Sequence, residues 1–273
     1  MFIHHRPQAE ENVMLRTNLK KIVCSAVFWG TVILLAGSMV LGAYSDLQNA
    51  RNNSMSVLYC YLVTNSVGIS HVLVPIVTIV PFTFFYVDEL DKKAVYYSLI
   101  RCSKRKYYLA NVLTAIISAV LVSSLAILIF VIVCLGFGAN LQVDNMMVEY
   151  YSGTFFQTWI ESEMLVRILL IHICSFVIFS IPWPLLSLAV SILSKNKYVI
   201  IASPFILFMA ASYVTEMSSA DMLNPGLMLL KGSMLKKSYG GLFYAISYHV
   251  IFSLFFAFFY YCMSKRRFLH EGL

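Results

Sequence analysis

The stretch VDELDKKAVYYSLIRCSKRKYY, residues 87–108, decides how this chain is organised. It joins two long apolar segments, residues 57–86 and 109–137, and neither of them contains Asp, Glu, Lys or Arg. The stretch itself carries three acidic and six basic side chains. Because Lys and Arg next to a membrane span resist translocation, we expect this loop to stay in the cytoplasm and to orient every other segment.

The composition of the chain is that of a membrane protein. Of its 273 residues, 60% are hydrophobic and 12% are charged, whereas a typical soluble domain has about 25% charged residues. Basic residues at the cytoplasmic ends of spans account for the net charge of +7, so this charge does not indicate nucleic-acid binding. The six cysteines are scattered and form no Cys-x-x-Cys pair, which favours small apolar packing residues over a disulfide framework or a zinc site.

Six apolar segments are long enough to be membrane spans. They cover approximately residues 22–44, 57–86, 109–137, 164–193, 198–214 and 242–263. With this division, the segments expected in the cytoplasm hold fifteen of the twenty Lys and Arg residues, in agreement with the positive-inside rule. We therefore predict one all-α integral membrane domain over residues 1–273. It has six transmembrane helices, both termini in the cytoplasm, and a short cytoplasmic coupling helix between spans two and three.

Prolines and the basic N-terminal segment modify this plan. The second span has about 30 residues, more than the hydrocarbon core requires, and Pro75 and Pro81 favour kinks within it. Pro182 and Pro184 predict a break in the fourth span because each removes a backbone donor. The basic segment before residue 22 is either an amphipathic helix along the membrane surface or irregular.

A polar stripe runs along the second span. Its members fall on one helical face, at steps of four and three residues: Thr64, Gly68, His71, Pro75 and Thr78. If the stripe lines a substrate pathway, Thr64, His71 and Thr78 supply its polar groups. Polar residues also join membrane helices through hydrogen bonds, so a contact between helices is the second interpretation.

Two external segments carry further signals. Residues 138–163 contain four acidic and no basic side chains, with a group of aromatic residues before the fourth span. These rings are typical of an aromatic belt at the membrane interface, and a substrate gate is the alternative. Asn-Pro-Gly at residues 224–226 indicates an external turn, and the apolar residues 227–230 are candidates for a short re-entrant segment.

The sequence contains no recognisable catalytic constellation. It lacks the His-Glu-x-x-His and Gly-x-Ser-x-Gly motifs and any phosphate-binding loop. No Asp or Glu lies in the core of a predicted span, which argues against ion-coupled transport. His71, His172 and His249 lie on three different spans, and no spacing favours a metal. We therefore expect no catalytic residue, no metal and no cofactor bound by this chain.

Several segments resemble the permease subunits of type-2 ATP-binding-cassette exporters. They are Glu89 at the end of the second span, residues 99–107 (LIRCSKRKY), residues 188–197 (LAVSILSKNK) and Asn-Pro at 224–225. Members of this family commonly have an acidic residue, a short amphipathic helix and a Ser/Arg…Tyr sequence between spans two and three. Their six spans also match the number predicted for this chain.

The resemblance implies a division of labour between subunits. Two permeases, either two copies of this chain or this chain and a related one, would form the pathway. Separate cytosolic ATP-binding-cassette ATPases would power it and would bind ATP and Mg²⁺, since this chain has no phosphate-binding loop. The loop helix would dock in the ATPase through the coupling residues Glu89, Leu90, Ala94, Tyr97 and Arg101.

The helical period of the loop agrees with a docking role. Leu90, Ala94, Tyr97 and Arg101 share one face, at steps of four, three and four residues. An apolar centre with a charged rim is typical of a small docking surface, because the centre provides affinity and the rim provides register. A helix resting on lipid headgroups is the alternative.

The expected function is export of a hydrophobic or amphipathic substrate, such as a peptide antibiotic, a drug or a lipid-like molecule. The resemblance implies a multi-pass protein of the bacterial plasma membrane, with membrane lipid and no nucleic acid as further partner. Two other classes stay open: a non-transporting scaffold, sensor or channel, and a membrane-embedded enzyme. A scaffold would not copurify with an ATPase, and an enzyme would be active without nucleotide.

Overall fold

The structure is a computed structural model that describes residues 7–50, 55–66, 69–91, 103–154, 156–194, 196–219, 223–226 and 239–270. Within these residues the chain forms thirteen helices and no β-strand. The helices are α1 Pro7–Val23, α2 Ala26–Gly42, α3 Tyr44–Asn49, α4 Val57–Ser66, α5 Ser70–Val77, α6 Val80–Asp91, α7 Lys104–Gly136, α8 Asn145–Tyr151, α9 Gln157–Glu161, α10 Leu165–Ser180, α11 Pro182–Leu193, α12 Lys197–Met217 and α13 Tyr239–His270. The predicted all-α class is confirmed for the described part of the chain.

Five helical segments are long and apolar enough to cross a membrane. They are Ser70–Leu90, Lys104–Gly136, Leu165–Leu193, Lys197–Met217 and Phe243–Lys265. A sixth span is present if Met14–Val23 and Ala26–Gly42 count as one, although these two segments meet at an angle of 61°. The described residues therefore contain five or six candidate spans, and which termini face the cytoplasm stays a prediction.

The bend between α1 and α2 has a local cause at Ser25. The Ser25 hydroxyl accepts a hydrogen bond from Phe28 N at 3.1 Å, which caps the start of α2. The same hydroxyl donates to the Ile22 carbonyl at 2.7 Å, at the end of α1. Because one side chain bonds the backbone of both helices, the basic N-terminal segment becomes a separate helix, and α1 packs chiefly against α7.

The second predicted span, residues 57–86, is divided into more than one helix. Its first part is α4, which ends at Ser66, and the membrane-length segment begins only at Ser70. Polar side chains lie at the division: the Ser70 hydroxyl donates to the Thr64 carbonyl at 3.0 Å and lies 3.4 Å from Asn65 Oδ1. The helix α4 instead packs beside α5 against α2.

The predicted proline break in the fourth span is confirmed. The helix α10 ends at Ser180 and α11 begins at Pro182, which lacks the N–H that would continue the α10 ladder. The helix α11 then forms the centre of the fold, where it packs against α13, α12, α7 and α6. The long helix α7 packs on the other side, against α2, α1 and α10.

The two ends of the helix bundle differ in charge. At one end, Lys21 of α1 and Lys197 of α12 lie against Asp88 and Glu89 of α6. We call this the basic end, because α7 also begins there with Lys-Arg-Lys. The opposite end is covered by a segment that we call the cap, residues 139–164 without residue 155, which contains acidic but no basic side chains.

Candidate functional site

The end of α6 is held by two lysines from other helices. Lys21 Nζ of α1 lies 3.6 Å from Glu89 Oε1 and 5.6 Å from the centre of the Phe85 ring. Lys197 of α12 forms an ion pair with Asp88, and its Nζ lies 5.4 Å from the centre of the Phe84 ring. We call this arrangement the α6 clamp, and its members are Lys21, Phe84, Phe85, Asp88, Glu89 and Lys197.

The clamp follows from helical spacing. Positions i and i+4 lie on the same face of a helix. Phe84 and Asp88 therefore both contact Lys197, and Phe85 and Glu89 both contact Lys21. The side chain of Glu89 is 14% exposed and that of Asp88 is 49% exposed. The partly exposed Lys197–Asp88 pair contributes about 0.2–1 kcal/mol, and a cation–π contact at an exposed site adds roughly 0.5–1 kcal/mol. The Lys197 side of the clamp is therefore held by individually weak contacts.

The predicted coupling residues are only partly described by the structure. Glu89 is directed toward Lys21 of α1, so it would have to leave this lysine before it could contact a partner. Leu90 is half-buried and packs against the hydrophobic core, so the apolar centre predicted for the loop is partly used inside the protein. Ala94, Tyr97 and Arg101 lie outside the described residues, and their docking role stays a prediction.

The members of the predicted polar stripe have different surroundings. Thr64 is fully buried, and its hydroxyl donates to the Met39 carbonyl of α2 at 2.7 Å. The Thr78 hydroxyl, at the residue that follows α5, donates to the Val74 carbonyl of that helix at 2.7 Å. His71 is half-buried and borders a cavity, and Gly68 lies outside the described residues. Thr64 thus supports the interpretation as a contact between helices, and His71 is the stripe residue found at an open space.

The cavity beside His71 lies between α5 and α12 and has a volume of about 200 Å³. Its polar groups come from Ser212, Glu216 and Asn224, and Glu216 is exposed. The Asn224 side chain is held by Ser212, because its Nδ2 donates to the Ser212 carbonyl at 3.4 Å. The cavity therefore combines an imidazole and a carboxylate with an amide whose position is fixed by α12.

The predicted external turn at Asn224 is buried. Asn224 is 5% exposed, and its Oδ1 accepts a hydrogen bond from Gly226 N at 3.0 Å. A Cβ at Gly226 would lie 3.3 Å from the Phe208 ring, so glycine allows the turn to approach α12 closely. The turn is thus part of the helix packing, and residues 227–230 lie outside the described part of the chain.

The cap is tied to α4 by Asp144. One carboxylate oxygen accepts from Met147 N at 2.7 Å and caps α8. The other oxygen accepts from Ser56 N at 2.8 Å. Backbone bonds of Asn140 with Met55 and Val57, at 3.0 and 2.9 Å, complete the connection. An acidic residue expected only to mark the external side therefore has a structural role.

The cap is also tied to α10 by buried aromatic residues. The Tyr151 hydroxyl lies 2.9 Å from His172 Nε2, and the Tyr61 hydroxyl donates to the His172 carbonyl at 3.1 Å. Tyr151 is 1% exposed and Phe156 is fully buried. The interpretation as an aromatic belt is wrong for these two residues, because their rings pack inside the protein. Burial raises the pKa of Tyr151 above the ordinary tyrosine value of about 10.

A buried polar network joins helices near the basic end. The hydroxyls of Tyr86 and Tyr260 lie 3.2 Å apart, and Asn111 Nδ2 lies 3.4 Å from Tyr260 Oη. One turn earlier on α6, the hydroxyls of Thr83 and Ser187 form a hydrogen bond of 2.7 Å. The network has no local sequence signal because its members come from helices α6, α7, α11 and α13. Neutral hydroxyls and an amide suit it to fix helix positions.

Two cysteines that are distant in sequence also meet. Cys60 of α4 and Cys134 of α7 are both buried, and their thiols are close enough to influence each other. Across the described residues, no three His, Cys, Asp or Glu side chains are placed to hold a metal ion together. His71, His172 and His249 each have separate surroundings.

Comparisons with known proteins give no relative from which a function could be transferred. No family model, no curated protein and no solved structure matches the chain.

Proposed function

We propose that this chain is the transmembrane permease subunit of an ATP-driven exporter in the plasma membrane of a bacterium. A separate cytosolic ATP-binding-cassette ATPase binds ATP and Mg²⁺ and supplies the energy. A second permease, identical or related, completes the pathway. The proposal is supported by the resemblance of the charged loop to those exporters and by the five or six candidate spans of the described residues.

The α6 clamp is the observation that carries the proposal. The helix α6 runs to Asp91, at the start of the loop that is proposed to dock in the ATPase. The clamp connects that end of α6 to α1 and α12 through Lys21 and Lys197. A displacement of the loop therefore reaches three helices at once. Because the partly exposed Lys197–Asp88 pair is weak, we expect the displacement to break and restore it during a cycle.

The proposed substrate class is supported by the exposed apolar faces of three helices. Large apolar side chains of α2, α12 and α13 are exposed on the described part of the protein, among them Ile33, Ile206 and Phe258. Such faces adjoin hydrocarbon or a second permease, and they offer no charge to a polar cargo. We therefore propose a hydrophobic or amphipathic substrate.

The test begins with purification of the protein from its own membranes in a mild detergent. The proposal expects an ATPase to copurify and the complex to hydrolyse ATP. Replacing the apolar centre of the loop, with Leu90→Asp and Tyr97→Asp together, should release the ATPase. The matched control is Tyr198→Asp, because Tyr198 is 83% exposed and lies at the same end of the bundle.

A second experiment concerns the clamp itself. Lys21→Glu and Glu89→Lys each place like charges together and should uncouple ATP hydrolysis from transport while the ATPase stays bound. The double variant restores opposite charges and should recover coupling. Loss of coupling in both single variants without recovery in the double variant would argue against transmission through this pair. A purified protein that inserts normally but binds no ATPase would instead favour a scaffold, sensor or channel.

A further inference from the structure

The helices α7 and α13 meet near the basic end through tyrosine side chains. The centre of the Tyr108 ring on α7 lies 5.9 Å from that of Tyr260 and 5.6 Å from that of Tyr261, both on α13. Asn111 Nδ2, one turn later on α7, lies 3.4 Å from Tyr260 Oη. We call this arrangement the tyrosine contact. It establishes which turns of the two helices are neighbours.

The helix α13 runs toward the basic end, in the direction opposite to α7. Within α13, the centre of the His249 ring lies 5.8 Å from that of Phe179, at the end of α10 away from the cap. Further along α13, Tyr260 Oη lies 3.2 Å from Tyr86 Oη, just before the clamp residues of α6. Residues after the tyrosine contact on α13 and residues before it on α7 therefore both lie beyond it, toward the basic end.

Two cationic residues lie one helical turn beyond the tyrosine contact. Arg105 precedes Tyr108 by three residues, and Lys265 follows Tyr261 by four residues. Because residues three or four apart share a helical face, each cation lies on the same face as the tyrosine of its helix. Arg105 and Lys265 are therefore at the same level of the bundle, one on each side of the contact.

The charges of this pair are not compensated by acidic groups of their own helices. Arg105 and Lys265 are exposed, and neither forms an ion pair among the described residues. The helices α7 and α13 contain no Asp or Glu over their whole length. Asp88 and Glu89 of α6 are held in the clamp by the lysines of α1 and α12. The pair is thus a positive surface suited to an anion.

The pair lies at the level where lipid headgroups meet the protein. Arg105 is the second residue of the candidate span Lys104–Gly136, and Lys265 is the last residue of Phe243–Lys265. The ends of a span lie at the boundary between the hydrocarbon core and the headgroups. An anion that contacts both side chains is therefore in the plane of the phosphate groups.

Apolar side chains continue from each cation toward the middle of the candidate spans. Leu109 follows Arg105 by four residues and is 49% exposed. On α13, Phe258 precedes Tyr261 by three residues and is 66% exposed. Each of them lies on the helical face that carries the cation. A soluble anion gains nothing from these side chains, whereas acyl chains attached to the anionic group pack along them.

We propose that Arg105 and Lys265 bind the phosphate of an anionic phospholipid whose acyl chains lie along Leu109 and Phe258. Hydrogen bonds between a guanidinium or ammonium group and a phosphate are charge-assisted and strong. A zwitterionic phospholipid brings an ammonium group that the second cation repels. Binding requires neither an ATPase nor nucleotide, so the proposal holds or fails separately from the function proposed above.

The test counts bound lipids by native mass spectrometry. The delipidated protein in mild detergent is titrated with dioleoylphosphatidylglycerol, and saturable binding is expected. The matched probe is dioleoylphosphatidylcholine, which has the same acyl chains but no net charge. It should bind at least about fivefold more weakly, the factor that corresponds to one Lys or Arg near an anionic lipid. Excess glycerol 3-phosphate, which has the phosphate without acyl chains, should leave the bound lipid unchanged.

Substitutions on the exposed surface locate the site. Arg105→Gln and Lys265→Gln should each weaken phosphatidylglycerol binding about fivefold. Arg105→Lys keeps the charge and should bind like the parent protein. Two controls remove one exposed charge elsewhere: Lys20→Gln on α1, next to the clamp residue Lys21, and Arg167→Gln at the start of α10. Both controls should bind like the parent protein.

Three results would overturn the proposal. Equal losses in Arg105→Gln and Lys20→Gln would show that the lipid responds only to the total charge of the basic end. Equal affinity for phosphatidylcholine would show that the cations do not select the headgroup. Displacement of the lipid by glycerol 3-phosphate would show that a free phosphate suffices and that the acyl chains are not bound.

Discussion

The bond between Tyr151 and His172 offers a sharp test of how the cap is attached. Tyr151→Phe removes one oxygen atom and leaves the ring, which packs against Phe156, in place. The lost oxygen lies 2.9 Å from His172 Nε2. The substitution thus removes a hydrogen bond without opening a large cavity, and we expect it to destabilise the cap.

The magnitude follows from burial. Tyr151 is 1% exposed and His172 is 3% exposed, so water cannot easily replace the lost hydroxyl. A buried polar atom left without a partner costs about 1–3 kcal/mol. Hydrogen bonds between membrane helices average only about 0.6 kcal/mol. Because Tyr151 belongs to the cap and His172 lies within the candidate span Leu165–Leu193, we expect a loss between about 0.6 and 3 kcal/mol.

The assay compares two neighbouring tyrosines. The free energy of unfolding is measured by denaturant titration in detergent for Tyr151→Phe and for Tyr150→Phe. Tyr150 is 37% exposed, so its variant should stay within about 0.5 kcal/mol of the parent. Hydrogen exchange of residues 145–161 reports whether the loss is local to the cap. Equal stability of the two variants, or a loss outside the cap only, would refute this account of its attachment.

Three further predictions concern other contacts. Thr64→Val should lower the free energy of unfolding by about 0.6–1.7 kcal/mol because the Thr64 hydroxyl joins two helices. Thr78→Val should lower it less because the Thr78 hydroxyl bonds only to the adjacent turn. Loss of transport with unchanged stability in Thr64→Val would favour the pathway interpretation instead. Mild oxidation with copper phenanthroline should join Cys60 to Cys134, as seen by mass spectrometry of non-reduced peptides, and Cys60→Ser should leave Cys134 unpaired. Burial raises the pKa of Tyr151 above its ordinary value of about 10. The neutral hydroxyl therefore stabilises the fold fully below pH 10, and this contribution is lost as the pH rises further. Above pH 10, the free energy of unfolding should fall less steeply with pH in Tyr151→Phe than in the parent protein.

The features that depend on local chemistry could be predicted from the sequence. Pro182 breaks its span because the missing N–H acts on the adjacent turn, whatever the tertiary structure. The apolar run of α7 is long and uninterrupted, and Lys104–Gly136 includes almost all of the predicted span. Patterns of this kind are read within a few residues, so no distant partner is needed to interpret them.

The features that depend on distant partners could not be predicted. The division between α4 and α5 has no apolar or charged signal, because Asn65 and Ser70 act through bonds formed only in the folded chain. The i and i+4 spacing of the rings and carboxylates on α6 is visible in the sequence, but Lys21 and Lys197 are not identifiable as their partners. An aromatic belt and a buried cap have similar aromatic composition, so the sequence pattern before the fourth span does not show that Tyr151 is buried.

The clamp also defines the register of α6. Its two ring–carboxylate pairs occupy consecutive positions, so a screw movement of one residue, about 1.5 Å and 100°, carries one pair into the place of the other. If Asp88 moves into the place of Glu89, Lys21 gains Phe84 and Asp88 as a replacement pair, while Lys197 meets Val87. If Glu89 instead moves into the place of Asp88, Lys197 contacts Phe85 and Glu89, while Lys21 meets Leu90. A single-residue slip therefore releases one lysine and retains the other, so α6 has one doubly held register between two singly held ones.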